Sequence, residues 1–86
     1  MARLELTAAW QVDTLGSGRR VRITRRRDGA DLILDGGRAM AFLDQHGEMD
    51  AAHRQPGSEW AAMAWPDCLD RLCREWMARE GCHAAA

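Results

Sequence analysis

A chain of 86 residues, 29% charged and 47% hydrophobic, makes one small domain, 1–86, with a thin core. That balance excludes a disordered tail, and no apolar run approaches the roughly 18 residues of a membrane helix. The net charge of −1 hides a split: residues 1–27 hold seven arginines against Glu5 and Asp13, and residues 28–86 hold eleven acids against five arginines. Such asymmetry marks either an interaction surface or two halves that neutralise each other on folding.

The start, MARLELTAAW, has no apolar segment long enough for a signal peptide, so a cytoplasmic location is expected. Three cysteines, Cys68, Cys73 and Cys82, are an odd number in a helical context, which fits a reducing compartment better than a disulfide framework. Lys, Asn and Tyr are absent and all twelve basic residues are Arg. Those three residues use AT-rich codons, so the composition is that of a GC-rich bacterial or phage genome. That bias weakens both a choice of Arg over Lys for bidentate recognition and the Arg-rich stretch as a nucleic-acid signal.

Residues 4–12 alternate at period two, with Leu4, Leu6, Ala8, Trp10 and Val12 on one side, and predict a single half-buried strand. The segment TLGSG follows as a loop. GSGRRV has too few glycines for a phosphate-binding loop, and a strand follows it where a helix would be needed.

Residues 19–27 pack six arginines into nine positions. Asp28-Gly29 predicts a two-residue hairpin turn, since a type I′ turn needs φ > 0 at both central positions. That register sets Arg26 opposite Asp31 and Arg22 opposite Asp35. One face then carries Val21, Ile23 and Arg25 with Leu32 and Leu34; the other carries Arg20, Arg22, Thr24 and Arg26 with Asp31, Ile33 and Asp35. Arg19, Arg20, Arg25 and Arg27 have no evident partner in this reading.

A short helix is expected over 37–46, with Ala39, Met40, Phe42 and Leu43 inward and Gly47 as its stop. EMDAAHRQPG has no period and reads as an irregular loop. From 58 to 80 the pattern predicts a long helix, with Ser58 as N-cap and apolar residues from Trp60 and Ala61 to Trp76 and Met77. Asp67–Arg71, Asp70–Arg74, Arg71–Glu75 and Glu75–Arg79 are spaced i,i+4, and Gly81 closes the helix. Pro66 keeps the stripe in phase, which favours one kinked helix over two helices meeting at Pro66.

Little here points to chemistry. Cys68 and Cys73 are five apart, about 140° out of register for a shared metal, and Cys82-His83 match no zinc spacing. Ser17 and Ser58 read as loop and cap, and His46 and His53 lack a catalytic partner. No cofactor, metal site or enzymatic activity is therefore expected. The expected fold is α+β: a three-stranded antiparallel sheet over 3–35, a short helix, and a long C-terminal helix packed on one sheet face.

By elimination, the expected function is a small non-enzymatic protein-binding module. A phage- or mobile-element-encoded inhibitor or regulator that occupies a partner protein's surface, as monomer or homodimer, would fit. Trp and Arg dominate interface hot spots, so the candidate contacts are Arg19, Arg20, Arg22, Arg25, Arg26, Arg27, Trp60 and Trp65. The alternative is a nucleic-acid-binding regulator that uses the Arg hairpin 19–35.

Overall fold

In a computed structural model describing residues 2–81, four strands form an antiparallel meander in sequential order. They are β1 (Ala2–Leu6), β2 (Trp10–Leu15), β3 (Arg20–Arg25) and β4 (Ala30–Asp35). Two helices follow, α1 (Gly37–His53) and α2 (Trp65–Trp76), and a π-helical turn (Met77–Gly81) extends the second. The α+β class stands, with four strands in place of three and no long C-terminal helix over 58–80.

The extra strand arises because the predicted strand 4–12 folds back on itself. Thr7 N–H donates to Trp10 O (2.8 Å), and Trp10 N–H donates to the Thr7 hydroxyl oxygen (3.1 Å), closing a turn over Ala8 and Ala9. Neither alanine has positive φ, so no Gly, Asn or Pro marks the turn. A bulge in β1 between Arg3 and Glu5 then shifts the phase by one residue. Glu5 comes onto the face of Val12, and Leu6, expected in the core, lies opposite Gln11 on the other face with 47% of its surface exposed.

The β3–β4 hairpin is offset by two residues from the predicted register: Arg20 faces Asp35 and Thr24 faces Asp31, around a four-residue turn at 26–29. Only Gly29 has positive φ. Asp28 instead accepts the Ala30 N–H (3.1 Å) and caps the turn with its side chain. A shift of two preserves both faces, so the inward set Val21, Ile23, Leu32 and Leu34 is buried as expected.

Helix α1 runs through Gly47 and on to His53, seven residues past its predicted end. Ala39, Phe42, His46, Met49 and His53 recur at three- and four-residue spacing on its inner side. Two histidines in that stripe weaken the apolar signal. The loop predicted from Glu48 is helical up to His53, and the chain leaves the helix at Arg54.

The segment before Pro66 is a succession of turns. Ser58 Oγ accepts the Ala61 N–H (3.0 Å) and donates to Ala52 O (2.5 Å), pinning the turn to the end of α1. Ala64 is extended (ψ 147°), and Pro66 occupies the first turn of α2, where its missing N–H costs nothing. The kinked-helix expectation is therefore replaced by a helix that starts at the proline. Both helices cover one sheet face. Trp10, Val12, Val21, Ile23, Leu32 and Leu34 meet Phe42, Met49, Leu69, Leu72, Cys73 and Trp76 in a single core.

Candidate functional site

The helices leave the second face of the sheet uncovered. Register places three rows of side chains across it: Leu6, Gln11, Thr24 and Asp31; then Arg3, Asp13, Arg22 and Ile33; then Leu15, Arg20 and Asp35. The middle row alternates charge. Asp13, only 2% exposed, accepts from Gln11 Nε2 (3.1 Å) and pairs with Arg22 Nη2 (3.4 Å). A carboxylate with so little water around it is tolerable because these donors replace its hydration. Arg20 pairs with Asp35 (2.5 Å), and the Thr24 hydroxyl donates to Asp31 (2.7 Å). Three arginines and three aspartates thus share this face with Leu6, Leu15 and Ile33, the last 45% exposed.

The six hairpin arginines do not form one basic surface. Arg25 lies on the other side of the sheet and clasps Asp28 (2.8 Å), holding that carboxyl down to about 2. Arg26 Nη1 donates to Thr7 O (2.7 Å), and its N–H donates to Ala9 O (2.9 Å), which ties the two turns at that end of the sheet together. Arg20 and Arg25, which had no evident partner in sequence, are therefore ion-paired. Arg19 and Arg27 make no side-chain hydrogen bond or ion pair among the described residues. They stand beyond opposite ends of β3.

Trp60 and Trp65 lie on the helix side of the molecule, partly buried against the core. The Arg71 guanidinium sits 5.0 Å above the Trp60 ring, and the Trp60 carbonyl accepts from Cys68 Sγ (3.5 Å). Trp65 Nε1 donates to Glu5 Oε1 (3.0 Å). The tryptophans and the outer-face arginines are therefore on opposite sides of the sheet.

Sequence reasoning missed Glu5. The bulge turns it toward the helices, where its second oxygen accepts from His46 Nε2 (2.8 Å). His46 in turn stacks on Phe42 and meets the edge of Trp65, and His53 Nε2 lies 3.0 Å from Met63 O. The only sequence signal was negative: an acid in a strand whose alternation put it outside. This carboxylate–imidazole–indole cluster fastens β1 to both helices. The neighbouring thiol, Cys73, is fully buried and pushed up to about 12 by that burial and by Asp70 and Glu5, so it stays protonated at neutral pH. Burial also pushes the Cys68 thiol up. Among the described residues no cluster of three or more His, Cys, Asp or Glu could hold a metal, and no helix is long and apolar enough to cross a membrane. Cys82 and His83 lie outside the described residues.

Beside the turn at Gly16–Gly18 lies a shallow concavity lined by Leu15, Ser17, Arg19, Arg20 and Asp35, continuous with the uncovered face. Fold and site together define a small α+β domain: a four-stranded meander with helices on one side and a charge-laddered face on the other. No family model, no curated protein and no solved structure matches the chain.

Proposed function

We propose that the chain is a non-enzymatic protein-binding module that presents the helix-free face of its sheet to a partner protein. The observation that carries this reading is the make-up of that face. Exposed Leu6 and Ile33 sit among side chains of both signs, three arginines against three aspartates. A mixed, partly apolar surface resembles a protein interface more than a phosphate-binding one, which needs unbalanced positive charge. The internal partners of Arg20, Arg22, Arg25 and Arg26 support the same reading. An inhibitor or regulator that acts in the cytoplasm by occupying a partner's surface is the biological form that the small size and GC-rich composition favour.

The test sets protein against nucleic acid. Labelled duplex and single-stranded oligonucleotides are titrated with the protein at low and physiological salt, and their anisotropy is followed. The expected result is no saturable binding at either salt. Binding that weakens steeply with salt and disappears in R20A/R22A/R26A would overturn the proposal and establish the nucleic-acid alternative. In parallel, wild-type protein and an Ile33→Arg variant serve as baits in extract of the native host. A specific protein held by the first and released by the second is the expected outcome.

A further inference from the structure

Among the described residues strand β4 is the last strand of the sheet and pairs only with β3. Gly36 N–H donates to Arg19 O (3.1 Å), which fixes the phase of that ladder. Hydrogen-bonded and non-hydrogen-bonded pairs alternate in an antiparallel ladder. The backbones of Leu34, Leu32 and Ala30 therefore turn toward β3, and those of Asp31, Ile33 and Asp35 turn outward. No hydrogen bond from another described backbone group outside the sheet reaches these three residues. The side chains of the same three residues lie exposed on the helix-free face.

Edge strands are usually blunted by Pro, Lys, bulges or short length. The opposite edge, β1, is shorter and bulged. Strand β4 is six residues long, regular, and free of Pro and Lys. Among the described residues its guard is a pair of acids, Asp31 and Asp35, placed symmetrically about Ile33. Two copies of β4 paired antiparallel about Ile33 would set Asp31 against Asp35 twice, and like charges directly opposite are destabilising. The guard thus acts against a second copy of this chain in that register, and it is complementary to a strand of opposite charge.

Resting on the binding-module reading, we propose that the β4 edge takes up an extended segment of the partner protein by antiparallel strand addition. That segment carries basic side chains opposite Asp31 and Asp35 and an apolar side chain opposite Ile33. Backbone groups at an open edge supply the attachment, and alternate side chains supply the specificity. The chain already shows the charge half of this recognition at the β3-facing edge of β4, where Arg20 sits opposite Asp35 and pairs with it. An exposed carboxylate keeps acceptor positions for a second donor.

The probe is an acetylated, amidated peptide, Arg-Thr-Val-Thr-Arg, titrated into the ¹⁵N-labelled full chain and followed by amide shifts. The expected result is saturable shifts of the Asp31, Ile33 and Asp35 amides, larger than those of Leu32 and Leu34. A Glu-Thr-Val-Thr-Glu peptide should bind about tenfold more weakly or not at all. N-methylation of the peptide's β4-facing amides, which leaves its charge intact, should abolish the shifts. A D31R/D35R variant, checked by circular dichroism, should reverse the preference between the two peptides. Equal binding of methylated and unmethylated peptide, or no shifts at all, would overturn the proposal, and both readings need only the wild-type chain. A protein partner bound equally well by wild type and D31R/D35R would overturn the edge assignment yet leave the binding-module reading standing. Peptide binding without any protein partner would do the reverse.

Discussion

Replacing Glu5 by Ala tests the cluster that holds β1 to the helices. Glu5 and His46 side chains are 18% and 14% exposed, so water reaches the pair only in part. The substitution removes two hydrogen bonds to a carboxylate, from His46 Nε2 and Trp65 Nε1, and leaves both donors half-buried. Hydrogen bonds to charged groups contribute about 1.5–3 kcal/mol each. With partial replacement by water, the expected loss is about 2–4 kcal/mol. A domain of this size has a total stability of roughly 4–13 kcal/mol, and each kcal/mol corresponds to about 4–8 °C. Glu5→Ala should therefore lower Tm by roughly 8–32 °C. Glu5→Gln keeps one acceptor and points an amide N–H at the other donor, so its cost should fall between wild type and Glu5→Ala. Urea unfolding followed by circular dichroism gives the free energies. A cycle of Glu5→Ala with Trp65→Phe should show a coupling of about 1 kcal/mol. A loss under about 0.5 kcal/mol, or a coupling near zero, would refute the view that this cluster fastens the edge strand.

Other perturbations have defined outcomes. Cys73 has its thiol raised from 9.0 to about 12 in the fold. Its contribution to stability is therefore complete below pH 9 and is lost as pH rises toward 12; a Cys73→Val variant should show a shallower alkaline limb in pH-dependent urea midpoints. In a Cys82→Ser background, Cys68 and Cys73 should react with a thiol reagent only at the rate of unfolding. Asp28 is depressed from 3.8 to about 2, so the contribution of its clasp with Arg25 is present above the ordinary carboxylate range and is lost as pH falls toward 2; Asp28→Asn should flatten that part of the acid limb. Gly36 has φ 56° and ψ −123°, with nothing within 4 Å of an added Cβ. Gly36→Ala should therefore cost about 1–3 kcal/mol through backbone strain alone, whereas Gly47→Ala, inside α1 and facing open space, should stabilise by about 0.5–1 kcal/mol in thermal melts.

Much of the fold was legible wherever one local rule acted alone. Val21, Ile23, Leu32 and Leu34 read as inward because a two-residue error in hairpin register leaves every side chain on its face. Leu69, Leu72, Cys73 and Trp76 read as core because they lie in one strongly amphipathic helix. The turn at Ala8-Ala9 was hidden because its closing group is the Thr7 hydroxyl, which is ordinary strand chemistry until the chain reverses. The extension of α1 was hidden because His46 and His53 fill inward positions by bonding to Glu5 and to Met63 O, partners that are remote in sequence or lie in a loop. Of the candidate contacts, the outer-face set of Arg20 and Arg22 could be read from alternation. The internal partners of Arg25 and Arg26 depended on turn geometry.

The sequence by itself determined the class and the inward faces of β3, β4 and α2. Periodicity and burial are properties of neighbouring residues and need no knowledge of where the chain goes next. Tertiary structure decided which charges neutralise one another, which sheet face the helices leave open, and that Glu5 belongs to the interior. A bulge or a turn shifts phase by a single residue, and charge pairing depends on distance in space, so neither can be read from spacing along the chain.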